Sequence, residues 1–393
     1  MKKSLAALLS LYLLLFLVDS LVSVVDDALG LWLDFHAVRP VRGVISFAVL
    51  GLSCLLYLLW GAIPAIPRWF GVVVLFNFVA GLAVIPISIY HFSRIQLVGL
   101  IISVLQLAVG VTVAGAFRSR LKAGWQLVAE ETLQDRLFSA WRLLAFVGLN
   151  LFLVLPGLLG YLAGCGVLAV DHFSAGFVKV DRTGFSVRAR TYSRADGKSI
   201  RLVPMMHIAE ADFYRRVSQS FDTNATVLLE GVSDRKSLLK HHLSYERMAG
   251  SLGLAEQQEK FTPTTARVRP ADLDVEAFSP STIEFLNLVI LVHSKGLTAE
   301  TLPLFVTKTQ NPALVERLWD DLLTLRNRHL VDEIQRELAH NQAVIIPWGA
   351  AHMPGVARHI EELGFNAGRA DLYSVVKFHT LWDGLLGRRR PGA

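Results

Sequence analysis

The chain has 393 residues, a formal net charge of +6, 53% hydrophobic residues and only 18% charged ones. With a mean hydropathy of +0.44, this excludes an ordinary soluble protein and points to a membrane protein with a soluble portion. Basic residues are spread along the chain apart from the tail Arg388-Arg389-Arg390, and no basic stripe with interleaved aromatics occurs, so nucleic acid is not an expected partner. The two cysteines, Cys54 and Cys165, lie in apolar runs, which excludes a disulfide framework or a cysteine zinc site.

Five apolar stretches come first: Leu5–Val25, Val44–Ile63, Trp69–Tyr90, Ile95–Phe117 and Leu143–Val170. Each is near the ~20 residues that cross a bilayer, so they predict five transmembrane helices. Lys2-Lys3 ahead of an apolar core would also suit a signal peptide. No small-x-small site follows, and Asp26-Asp27 stand where one is needed, which favours an uncleaved helix. With the N-terminus inside, the inner segments hold Lys2, Lys3, Arg68, Arg118, Arg120, Lys122, Arg136 and Arg142, and the outer loops hold Arg39, Arg42 and Arg94. That bias places the N-terminus in the cytoplasm and, after five spans, the rest of the chain outside it. The expectation is a multi-pass plasma (inner) membrane protein with an extracytoplasmic C-terminal domain. A re-entrant last segment, which holds Pro156 and several glycines, would reverse this. Asp19 lies toward the outer end of the first span and is expected to reach the head groups.

From about residue 177 strands and helices alternate. Phe185–Tyr192 and Lys198–Met206 flank an Ala-Asp-Gly turn and predict a hairpin. A helix over Ala209–Phe221 and the strand Thr226–Leu229 follow, predicting a βαβ unit. Pro204 argues that its strand is at an edge or ends early. Residues from Ser233 to Leu304 read as mostly helical, and Leu314–His340 as one long amphipathic helix. A second strand–helix–strand unit comprises Ala343–Pro347, Pro354–Leu363 and Leu372–Phe378, with Gly364 as a helix C-cap. The fold class is therefore an N-terminal all-α transmembrane bundle of about five helices, residues 1–170, followed by an α/β domain with a mixed, partly parallel sheet, residues 171–380, and a basic tail, 381–393.

Ten of the twelve histidines lie at or after His172, so position must select among them. His207 follows the strand Arg-Leu-Val-Pro-Met-Met, His352 follows Ala-Val-Ile-Ile-Pro-Trp-Gly-Ala-Ala, and Glu230 ends Thr-Val-Leu-Leu between them. In open α/β sheets reacting groups collect beyond the carboxyl ends of strands. Two imidazoles and a carboxylate suit Zn²⁺, Mn²⁺ or Fe²⁺. Glu210, three residues past His207, is a candidate base. On the helix 314–340, Arg326 falls amid Val315, Trp319, Leu322 and Leu330 at ~100° per residue. An arginine on that stripe needs an anionic partner or lines a cavity, and it is a candidate oxyanion stabiliser. Asn327 and His329 adjoin it. Asp272 and Asp274 suit metal binding but also plain loops, and His241, His242 and His293 have no supporting pattern.

Four segments carry a resemblance: Leu-Val-Pro-Met-Met-His-Ile-Ala-Glu, Val-Leu-Leu-Glu-Gly-Val, Leu-Arg-Asn-Arg-His and Ile-Pro-Trp-Gly-Ala-Ala-His-Met-Pro-Gly. Over about Phe177–Phe378 the chain resembles the TraB/TIKI superfamily, with its TraB, PrgY, GumN-like, erythromycin-esterase-like and ChaN-like relatives. That family's pattern has two Gly-x-x-His turns, a strand-end glutamate and an Arg-Asn pair on a helix. His207, Glu230, Arg326-Asn327 and His352 match in order, while Pro204 departs from the glycine of the first turn. The resemblance implies a metal-dependent hydrolase, protease-like in animal members. Other relatives are regulators or haem-binding proteins.

The leading expectation is a membrane-anchored hydrolase of peptide or ester bonds. His207, Glu230 and His352 would hold a divalent metal, and Arg326, Asn327 and Glu210 would act in catalysis. The alternatives are a non-catalytic peptide- or haem-binding regulatory module, and a transporter or signalling scaffold carried by the helices. The expected partners are the lipid bilayer and a peptide or small-molecule substrate.

Overall fold

The computed structural model describes residues 2–118, 127–240, 245–263, 267–296, 298, 300–309 and 311–386. Arg120, Lys122, His241, His242 and the Arg388–Arg390 tail, singled out above, lie outside the described residues. The chain forms two compact units, Met1–Ala169 and Val170–Ala393.

The first unit is helical. Its helices are α1 (Lys2–Leu33), α2 (Arg39–Ala62), α3 (Gly71–His91), α4 (Ile95–Arg118), α5 (Ala140–Leu149) and α6 (Leu155–Phe173). Four described helical runs are long and apolar enough to cross a membrane. The third, Arg68–Phe117, is broken at His91, where the backbone leaves helical angles before a single 3₁₀ turn, so α3 and α4 are separate helices. The fourth, Ala140–Phe173, is continuous. A π-helical turn over Asn150–Val154 joins α5 to α6 just ahead of Pro156. Proline lacks an N–H and crowds the carbonyl four residues back, and the widened turn accommodates both. Leu9, Tyr12, Leu13 and Phe16 of α1 form the centre of the core, with Val49 and Leu56 of α2, Val73 of α3 and Val113 of α4. Asp19 does not reach outward as expected. It is 4% exposed and accepts hydrogen bonds from Ser46 Oγ (2.5 Å) and Gln106 Nε2 (2.8 Å), because the face of α1 that carries it packs inside the bundle.

The second unit is α/β. Its elements in order are β1 (Val178–Val180), β2 (Gly184–Ser193), β3 (Ser199–Met205), β4 (Ile208–Ala209), α7 (Ala211–Gln219), β5 (Thr226–Leu229), α8 (Glu246–Ser251), β6 (Ala255–Glu256), α9 (Gln257–Lys260) and β7 (Arg267–Pro270). Then come α10 (Pro280–Lys295), α11 (Thr301–Thr309), α12 (Pro312–Trp319), α13 (Arg326–Leu338), β8 (Ala343–Gly349), α14 (Met353–Glu362), β9 (Asn366–Lys377) and α15 (Phe378–Leu385). The main sheet is mixed, in the order β1-β2-β3-β8-β5-β7, with β9 on the other edge of β2. The pairs β3–β8, β8–β5 and β5–β7 are parallel, and β2 pairs antiparallel with β1, β3 and β9. Alternating residues split the core between two faces. Ile200, Leu202, Val344, Ile346 and Trp348 pack with Leu330 and Ile334 of α13 and Val356 and Ile360 of α14. Val203, Met205, Val227 and Ile345 pack with Phe213, Tyr214 and Val217 of α7.

Five sequence expectations change here. β8 lies between β3 and β5, so the first βαβ unit does not put its two strands side by side. β9 turns back to pair antiparallel with β2, so the second unit is not a parallel βαβ at all. The short strand β4, paired with β6, follows His207, so α7 begins at Ala211 rather than Ala209. The stretch read as mostly helical contains the strand β7. The helix read as Leu314–His340 is interrupted by a π-helical run over Asp320–Leu325. That run rotates the two halves out of register, leaving Val315 and Trp319 exposed while Leu330 is fully buried. Pro204 sits in a central strand but beyond the last β2 partner, Leu202, so its missing N–H costs nothing there. Gly364, at φ 84°, ends α14 as expected.

Candidate functional site

The parallel strands β3, β8, β5 and β7 end on the same side of the sheet, and each is followed within a few residues by one chemically active side chain. His207 lies two residues past β3, Glu230 directly past β5, Asp272 two residues past β7 and His352 three residues past β8. The first two residues of α13, Arg326 and Asn327, reach into the same place.

Arg326 organises this end of the sheet. Its Nε donates to Asp272 Oδ1 (3.0 Å) and its Nη2 to Asp272 Oδ2 (2.6 Å) and Glu230 Oε1 (2.7 Å). Its Nη1 donates to His352 Nε2 (3.1 Å) and to the Leu322 carbonyl (3.4 Å), which the π-helical run presents. A guanidinium has five N–H groups, and all five are committed. Burial works against the Arg326 charge, but Asp272 and then Glu230 more than offset it and push its pKa up. The guanidinium also lies over the Trp348 ring, 5.3 Å from its centroid, and Trp348 is anchored through Nε1 to the Leu228 carbonyl (3.1 Å). The Asp272 side chain is wholly buried, and it also accepts the N–H groups of Gly231 (3.0 Å) and Leu273 (2.8 Å). Glu230 gives its second oxygen to the Gly349 N–H.

His352 is 4% exposed. Arg326 can only donate, so Nε2 of His352 accepts, and its proton sits on Nδ1, which donates to Asn327 Oδ1 (2.7 Å). Burial pushes the His352 pKa down to about 4; Arg326 and His207 lower it too, against Glu230 and Asp272, so the ring is neutral at pH 7. Gly355, one turn into α14, is required here. A Cβ at that position would lie 2.5 Å from Asn327 Nδ2, so only glycine lets Asn327 reach His352.

His207 is exposed and stacks on Tyr245, with ring centroids 5.4 Å apart; Tyr245 in turn meets His293 edge-on at 5.7 Å. The arrangement is thus a largely buried network, in which every Arg326 N–H is paired, and an exposed imidazole past the end of the adjacent strand β3. Glu210 is not part of it. Its carboxylate accepts from the Lys377 N–H (3.0 Å) and the Thr380 hydroxyl (2.8 Å), fastening the start of α7 to the junction of β9 and α15. His329 faces Glu333 at 3.8 Å, and Asp274 accepts from Ser233 and Arg235 in a turn.

The fit to a metal is incomplete. His352 Nε2 and Glu230 Oε1 are 3.6 Å apart and are donor types that suit Zn²⁺, Mn²⁺ or Fe²⁺, but Arg326 lies on both. Among the described residues no three His, Cys, Asp or Glu side chains converge closely enough to hold an ion.

Sequence reasoning weighed Asp272 only as a metal ligand or a plain loop residue, not as the partner of Arg326, and passed over Tyr245. Asp272 was visible only as part of Asp-x-Asp beside a proline, and nothing local marks Tyr245. Comparison with protein-family models, with characterised proteins and with solved structures gave no match.

Proposed function

We propose that the Val170–Ala393 unit is a hydrolase of peptide or ester bonds, held at a membrane by the helices of the Met1–Ala169 unit. The observation that carries this reading is that the Arg326–Glu230–Asp272–His352 network and the exposed His207 stand at the same end of the sheet. His207 is the general acid–base, because its ring is open to water. Glu230, with lone pairs left on both oxygens, orients the attacking water. Arg326 positions Glu230 and His352 rather than meeting a developing oxyanion, since none of its N–H groups is spare. Asn327 fixes the tautomer of His352. The order of the strand-end motifs, which resembles the TraB/TIKI pattern, supports the same reading. The bias of basic residues toward the inner loops supports an N-terminus inside and a hydrolytic unit outside the cytoplasm.

One observation favours a second reading. A network with every Arg326 N–H spent and a neutral buried imidazole also suits a rigid pocket that captures a peptide, or haem, without turnover. Hydrolysis of a peptide and ester panel by the full-length protein separates the two. The hydrolase reading expects turnover that falls at least 100-fold in His207→Ala and in Glu230→Gln. Binding without turnover, with His207→Ala still binding, supports the second reading. Metal content of the same preparations shows whether His207, Glu230 and His352 share a divalent ion, which would supply Lewis acidity to the reaction.

A further inference from the structure

A cavity of about 530 Å³ lies within the helical unit, between α1, α2, α3 and α4. Its polar side carries Asp19 and Asp27 of α1, Arg42 of α2 and Ser103 and Gln106 of α4; Leu50, Val84 and Ile102 belong to its apolar wall. Among the described residues, Arg42 is the only basic one lining it. That arginine is already shared, since its Nη1 donates to both Asp26 and Asp27. Asp26 is 3% exposed and its Oδ1 has no hydrogen-bond partner among the described residues. Asp19, 4% exposed and facing the cavity, receives hydrogen bonds only from the uncharged Ser46 and Gln106 among those residues. Three carboxylates against one guanidinium leave a formal excess of two negative charges inside a bundle of membrane-length helices. Ionisable groups in such a place are costly and require positive charge nearby.

We infer that this cavity binds a small organic ammonium ion, its charged end on Asp19 and its apolar body against Leu50, Val84 and Ile102. The chemistry fits the dimensions. A water occupies ~30 Å³ of liquid, so a bare inorganic ion would leave most of the space to apolar walls. Pockets of ~300–1,000 Å³ that are mainly apolar with a few placed polar groups are the ordinary form of small-molecule sites. Asp19 supplies the charge and acceptor oxygens that a protonated amine requires. The site is independent of the strand-end network.

The test uses the full-length protein in phosphatidylcholine nanodiscs and follows its thermal unfolding. The probes are benzylammonium chloride, benzyl alcohol (nearly the same shape without the charge) and sodium chloride at matched ionic strength. A saturable rise in midpoint with benzylammonium alone is expected, weakened at least ten-fold in Asp19→Asn. Ala80→Phe adds bulk at a residue lining the cavity and leaves every charge in place; it is expected to abolish the response even if Asp19→Asn does not fold. No response of the wild type to benzylammonium would overturn the inference. So would an equal response to benzyl alcohol, a saturable response to sodium, or an unchanged benzylammonium response in Ala80→Phe.

Discussion

Arg326 at the strand ends and Arg42 in the helical bundle each hold two carboxylates, but they do so differently. Arg326 grips Asp272 through two nitrogens, reaches Glu230 and His352 with the remainder, and leaves no N–H unused. Arg42 meets Asp26 and Asp27 through a single nitrogen, and a third acid, Asp19, stands by with no basic partner among the described residues. A fully paired buried network is rigid and costly to open, whereas a partly paired one has capacity for a ligand. The contrast teaches that the same residue types build a fixed scaffold in one unit and a receptive site in the other.

The largest expected effect comes from breaking the closed network. Arg326→Ala strands the buried Asp272 carboxylate and the half-buried Glu230 and is expected to cost ~3–5 kcal/mol. Hydrogen–deuterium exchange of β3 and β8 amides in the full-length protein measures this within the right unit. The pair Asp272→Asn and Asp19→Asn sharpens the comparison, because the chemical change is identical. The first is expected to lower the stability of its unit by a few kcal/mol. The second removes a carboxyl that has no basic partner among the described residues and is expected to raise the thermal midpoint in the absence of ligand. A fall of similar size in both would erase the distinction.

Acid probes the same network. His352 has its pKa lowered from 6.5 to about 4 in the folded state, so below pH 6.5 the unfolded chain binds the proton first. Stability is whole above pH 6.5, falls as pH drops toward 4 by ~3 kcal/mol, and then levels. Denaturant midpoints against pH, wild type beside His352→Gln, isolate that slope. Asn327→Leu removes the acceptor of the His352 proton and is expected to cost ~1–3 kcal/mol. His207→Ala has the smallest structural effect, within ~0.5 kcal/mol for an exposed residue, while removing turnover.

Much of the strand-end site was legible because its strands are apolar runs, each ending in one polar side chain. β3, β5 and β8 were read from such runs, and His207, Glu230 and His352 with them. β7 was not, because Arg-Val-Arg-Pro has no apolar run. It is an edge strand whose Arg269 is tied to Glu333 and Glu337, and Asp272 beyond it was weighed as a metal ligand or loop residue rather than as the partner of Arg326. The burial of Arg326 was read correctly from periodicity, although the π-helical run turns Val315 and Trp319 away from the face they were assigned to. Strand order could be read only for the β2–β3 hairpin. The insertion of β8 between β3 and β5, and the return of β9 to β2, depend on long-range pairing that no local pattern encodes. Asp19 was misjudged because its position along the span was weighed and the face it occupies was not.

The most direct test of the central claim is the hydrolysis rate of the full-length protein on a panel of peptides and esters, wild type beside His207→Ala, with both shown to be folded by hydrogen exchange of β8. The account predicts turnover by the wild type and a loss of at least 100-fold in the variant with exchange unchanged. Turnover that survives His207→Ala undiminished would contradict it.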